Sequence, residues 1–114
     1  MKRNVCFFLL LGTLFLNAHP PKSLDLRYDA ENASLTVKVW HKVNDPQSHY
    51  IGKIVVFLDD EPIAQKTYKR QVTDLFQEEI FILSDKPLKK NDRVKVQAAC
   101  NRFGKKSAEL EWRE

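Results

Sequence analysis

Four side chains in this sequence are of kinds that bind transition metals: His19, His41, His49 and Cys100. Imidazole nitrogen and thiolate sulfur are standard donors to zinc, copper and iron. The only other cysteine, Cys6, lies inside an apolar leader. The four candidates are far apart in the chain, so they make a site only if the fold gathers them. The elements between them therefore carry the question.

The N-terminus is not part of that fold. Met1-Lys2-Arg3 is a basic start, Val5 to Leu16 is an almost unbroken apolar run, and Asn17-Ala18 follows. This pattern predicts a secretory signal peptide over 1–18, too short and wrongly flanked for a stable membrane span. The remainder, 19–114, is one domain with a modest core. The expected location is secreted or periplasmic, with no stable membrane span after processing. Removing Lys2 and Arg3 from the 19 basic side chains leaves 17 against 15 acidic ones, a net charge of +2. Lys89-Lys90 and Lys105-Lys106 are separate short pairs rather than a basic track, which argues against a nucleic-acid partner. Processing leaves Cys100 as a lone thiol with no internal disulfide. In an exported chain a lone cysteine points to a reactive thiol, an intermolecular bridge or a metal.

The domain reads as all-β. Ser34-Leu35-Thr36-Val37-Lys38-Val39 and Arg93-Val94-Lys95-Val96-Gln97-Ala98 alternate with period two. Ile51 to Leu58 and Glu79 to Leu83 are apolar and rich in β-branched or aromatic residues. Shorter strands are expected through Leu24–Tyr28, Ile63–Tyr68 and Ala108–Trp112. Turn signals at Asp29–Asn32, Asp59–Pro62, Ser84–Pro87 and Asn101–Gly104 separate them. Strands of this number and spacing predict an immunoglobulin-like antiparallel β-sandwich of about seven strands.

Alternating strand direction then brings the candidates together. His41 ends the second strand, His49 opens the third, and Cys100 ends the sixth, all at the end where His19 enters. Parity agrees: His41 continues the row Leu35, Val37, Val39, and Cys100 continues Val94, Val96, Ala98. A first hairpin centred near Ala30-Glu31 sets residue 41 opposite residue 20, with Pro20-Pro21 blocking ladder bonds there. Asp45, between the two histidines, has two readings: a turn residue, or an acceptor that orients an imidazole. Asn32-Ala33-Ser34 fits the glycosylation pattern but reads as a turn, and Trp40, Trp112, Phe57 and Phe81 read as core or sheet-face residues. There is no Ser-His-Asp set, paired-carboxylate signature or phosphate loop.

The stretch His41-Lys42-Val43-Asn44-Asp45-Pro46-Gln47-Ser48-His49-Tyr50-Ile51, with Ala99-Cys100-Asn101-Arg102-Phe103-Gly104, resembles the iron-binding domain of superoxide reductases, the desulfoferrodoxin and neelaredoxin group. The resemblance spans essentially the whole mature chain. It implies an immunoglobulin-like sandwich, a ferrous iron, and one-electron reduction of superoxide with a partner protein as donor. It matches His41 and His49 to the family's paired histidines, Cys100 to its axial thiolate and His19 to its upstream histidine.

Three departures stand beside it. Phe103 occupies the place of the family's last histidine. The loop between His41 and His49 is longer, with Lys42 in place of a proline. The family's lysine before the upstream histidine has no mature counterpart. A copper site is the alternative to iron: if cleavage makes His19 the first residue, its amine and imidazole can chelate together, and nitrogen-rich ligation suits copper. The other class of function is a non-catalytic interaction module or copper carrier on the same fold, like the Z subunit of the bacterial sulfur-oxidation carrier, which resembles this chain around His-Tyr-Ile. The expected partner is a redox or carrier protein.

Overall fold

The computed structural model describes residues 20–113; the expected signal peptide 1–18 and His19 lie outside the described residues. Seven strands follow one another: β1 (Ser23–Asp29), β2 (Ser34–Trp40), β3 (Ile51–Leu58), β4 (Glu61–Thr67), β5 (Phe76–Ile82), β6 (Arg93–Cys100) and β7 (Lys105–Glu111). The alternating segments become strands because the pleat sends every second side chain inward. In β2, Leu35, Val37 and Val39 are fully buried, and in β6 so are Val94, Val96 and Ala98. Burying a side chain of valine or leucine size is worth about 1.5–3 kcal/mol.

Two antiparallel sheets result, ordered β1-β2-β5 and β4-β3-β6-β7. They pack face to face over a core that includes Leu24, Ile54, Val56, Leu58 and Phe81. This is the expected sandwich, with one particular: β4 pairs with β3 in the second sheet, whereas in constant-type immunoglobulin domains it sits beside β5.

Strand direction has the predicted consequence. β2, β4 and β6 return to one end, which carries the connections 41–50, 68–75 and 101–104, together with residues 20–22. At the opposite end Leu83, Leu88 and Tyr28 close the core. The Leu88 backbone N–H donates to Tyr28 Oη over 3.0 Å, and the Tyr28 ring meets Trp112 edge-on at 5.1 Å.

One register expectation fails. Ser23 lies opposite Trp40 and Asp29 opposite Ser34, so the ladder continues toward Lys22 against residue 41 rather than residue 20. The turn is longer than the dipeptide reading implies. Residues 30–33 form it, Ala33 takes a left-handed φ of 50°, and Asp29 caps it by accepting from Glu31 N and Asn32 Nδ2.

Candidate metal centre

His41 is where the buried row of β2 runs past the end of the strand. It is 1% exposed, and its backbone N–H donates to the Leu75 carbonyl over 2.9 Å. Its ring is set by Gln71, a residue 2% exposed. Gln71 Nε2 donates to the carbonyls of His41 (2.7 Å) and Thr73 (2.9 Å), which fixes which way the amide faces. Gln71 Oε1 must then accept, from Ile51 N at 3.1 Å and from His41 Nδ1 at 2.9 Å. His41 therefore carries its proton on Nδ1 and offers Nε2 as the donor to a metal. A carbonyl behind the imidazole is the arrangement that orients ligand histidines.

The 41–50 connection folds back on Asp45. Its carbonyl accepts from Ser48 N (3.1 Å) and His49 N (2.9 Å), and its Oδ1 accepts from Gln47 N at 3.0 Å. Asp45 is thus the turn residue of its two readings. The turn delivers His49, 8% exposed, beside His41 with ring centroids 4.8 Å apart and planes at 85°.

Cys100 arrives from β6. A bulge at Gly52 shifts the β3–β6 register so that Ile51, not Gly52, faces Cys100. Bulges of this kind re-aim side chains beside functional sites. Asn101 then ties the two strands together: its Oδ1 accepts from Tyr50 N (2.8 Å) and its Nδ2 donates to Ser48 O (3.1 Å). The Arg102 backbone N–H points at Cys100 Sγ over 3.4 Å, which suits a ligated thiolate. His49 Nε2 lies 3.2 Å from Cys100 Sγ.

One donor atom each from His41, His49 and Cys100 lies within 4.8 Å of the others. With metal–nitrogen and metal–sulfur lengths of about 2.1 and 2.3 Å, a right angle at the ion puts the two donors about 3.1 Å apart and a tetrahedral angle about 3.6 Å. The observed 3.2 Å for His49 and Cys100 falls inside that interval, so this pair fits a transition ion, and His41 Nε2 joins it with a small closing movement of the side chains.

The structure thus gathers three of the four predicted ligands, and His19 lies outside the described residues. Its neighbour Pro20 packs on the 101–104 turn. Gly104, at φ +96°, has no Cβ, and one built there would come within 2.8 Å of Pro20. Phe103, in the same turn, is 54% exposed. Gln71 was invisible to sequence reasoning: it sits in a polar loop, Lys69 to Thr73, with no periodicity or motif to mark it. In front of the imidazoles lies an open groove of about 600 Å3.

No protein-family model matches the chain. No curated protein matches it either. Among solved structures, a superoxide reductase (neelaredoxin) from Ignicoccus hospitalis is similar in fold, with a TM-score of 0.46 and 13% identity over 87% of this chain and 84% of that one. No helix among the described residues is long and apolar enough to cross a membrane.

Proposed function

We propose that this is an exported mononuclear metal protein in which His41, His49 and Cys100 hold one redox-active ion, iron in preference to copper. We propose further that it donates an electron to superoxide, as the resemblance of its His-Tyr-Ile and Cys-Asn segments implies. The observation that carries the metal reading is the convergence of the three donors, with Gln71 fixing the His41 tautomer. A bound iron would supply the electron, and two protons complete the conversion of superoxide to hydrogen peroxide. The chain's own work is to set His41 through Gln71, to place His49 and Cys100 through the bulge and Asn101, and to leave the imidazoles facing the groove. His19, or its amine after cleavage, is a further ligand under this proposal. The electron donor is a partner protein.

The test is elemental analysis and visible absorption of the exported protein. One ion per chain is expected, together with a thiolate-to-metal charge-transfer band. His49→Ala should lose the ion, and Cys100→Ser should lose the band. Iron-loaded protein should then consume superoxide at the expense of an added electron donor.

A second reading rests on Phe103, an exposed ring in place of a ligand histidine: a protein-interaction module on the same fold. Metal content unaffected by both substitutions would overturn the metal proposal and favour this module.

A further inference from the structure

The groove in front of His41 and His49 is built for more than a diatomic. At about 600 Å3 it falls in the range of small-molecule pockets, roughly 300–1,000 Å3. Its charged lining is one-sided. Among the described residues, Lys22, Lys42 and Arg102 contribute to its wall, no carboxylate does, and the two imidazoles sit alongside. None of the ion pairs among the described residues uses any of these three cations. The smaller groove at the opposite end, about 200 Å3, offers the contrast. Its Arg93 is already paired with Glu109 at 3.8 Å and Glu111 at 3.6 Å, and Asp59 and Asp60 line it too.

The apolar wall of the larger groove is also fixed. Trp40 donates from Nε1 to Asp25 Oδ2 over 2.9 Å, meets Phe76 edge-on at 5.5 Å, and lies under Lys38 Nζ at 4.5 Å. Leu75, 47% exposed, also lines the groove. Leu75 and the part of Trp40 that lines the groove give an organic body apolar surface to pack against, and cations outside the ion pairs of the described residues give an oxyanion its hydrogen-bond donors.

We propose that this groove binds a small organic anion, its oxyanion head among Lys22, Lys42 and Arg102 and its apolar body against Trp40 and Leu75. The site requires no metal, so it stands apart from the metal proposal. A ligand held there lies beside the imidazoles.

The experiment is an NMR titration of the isotope-labelled, metal-free exported protein with phenyl phosphate, benzyl alcohol and inorganic phosphate. Phenyl phosphate should bind in the millimolar range or tighter, shifting the Trp40 indole and the Lys42 and Leu75 amides. The Trp112 indole, at the other end, should stay still. Benzyl alcohol and inorganic phosphate should each bind at least tenfold more weakly. The exposed double variant Lys42→Gln/Arg102→Gln should weaken phenyl phosphate at least tenfold and leave benzyl alcohol unchanged. Shifts centred on Lys86, Lys89 and Lys90, unchanged affinity in the double variant, or inorganic phosphate binding as tightly as phenyl phosphate would each overturn the proposal. Metal content, measured separately, tests the other reading.

Discussion

At one end of the sandwich the gap between the sheets is closed by Tyr28, Leu83, Leu88 and Trp112; at the other it is closed by His41, Gln71, His49 and Cys100. The first closure is apolar, with one hydroxyl satisfied by a backbone N–H. The second buries two imidazoles and a carboxamide, groups that cost several kcal/mol each to remove from water unless every polar atom is paired. The strands feeding both ends are equally apolar, so nothing in the core demands the polar closure. A fold departs from consistent apolar packing where function requires it. The difference between the ends therefore marks this end as the candidate site without recourse to any resemblance.

The sharpest way to break the comparison is to make the two ends alike. Gln71→Leu keeps the volume but removes the partners of Ile51 N, His41 Nδ1 and the carbonyls of His41 and Thr73. At about 1–3 kcal/mol for each buried group left unpaired, with partial relaxation, the loss should be about 3–5 kcal/mol. Urea unfolding measures it. In the fraction still folded, metal affinity should drop about 10–100-fold, because the imidazole has lost what orients it. Unchanged metal affinity would show that Gln71 is only a structural plug.

The glycines offer a smaller test within the site end itself. Gly104→Ala puts a Cβ at φ +96° and within 2.8 Å of Pro20, so about 1–2 kcal/mol of stability should go, and Pro20 must move. Gly52→Ala meets Asn101 Cβ at 3.5 Å, an ordinary contact, and its cost should be the lesser of the two. At the apolar end, Tyr28→Phe strands only the Leu88 N–H. It should cost about 1 kcal/mol and leave metal content untouched. Metal loss on Tyr28→Phe would mean the two ends are coupled.

Why three of the candidate ligands could be placed from sequence, and their setting could not, follows from what periodicity encodes. Alternation fixes which face a residue takes, and His41 and Cys100 simply extend buried rows, Leu35 to Val39 and Val94 to Ala98. The sandwich follows from seven such segments with turns between them. Register is another matter. The first hairpin slipped by two residues because Asp29 and the left-handed Ala33 set the turn length, and neither leaves a periodic trace. The Gly52 bulge and Gln71 are contacts across long sequence separations, created only when β3, β6 and the 68–75 connection meet. Lys22 comes from the segment before β1, and Lys42 and Arg102 from two different connections; they share a groove only in the folded molecule.

Between the two ends a third kind of polar burial bridges the sheets along their flank. Tyr68, just past β4, donates from Oη to Glu79 Oε1 of β5 over 2.8 Å, and Lys66 Nζ lies 3.9 Å from the same carboxylate. Burial, then the hydrogen bond to Glu79 and its negative charge, push the Tyr68 phenol well above the ordinary tyrosine range. The folded chain thus keeps this proton at pH values where the unfolded chain, with a pKa near 10, releases it. A raised folded-state pKa means stability that is intact below about pH 10 and lost as the pH climbs beyond it, at up to about 1.4 kcal/mol per pH unit. At neutral pH, Tyr68→Phe should cost no more than about 1 kcal/mol, since the carboxylate keeps Lys66 and water. Above about pH 10 the gap between wild type and variant should narrow. Urea unfolding across about pH 8 to 11 would show it, and parallel curves would mean that Tyr68 ionises alike in both states and the flank bridge adds nothing to either end.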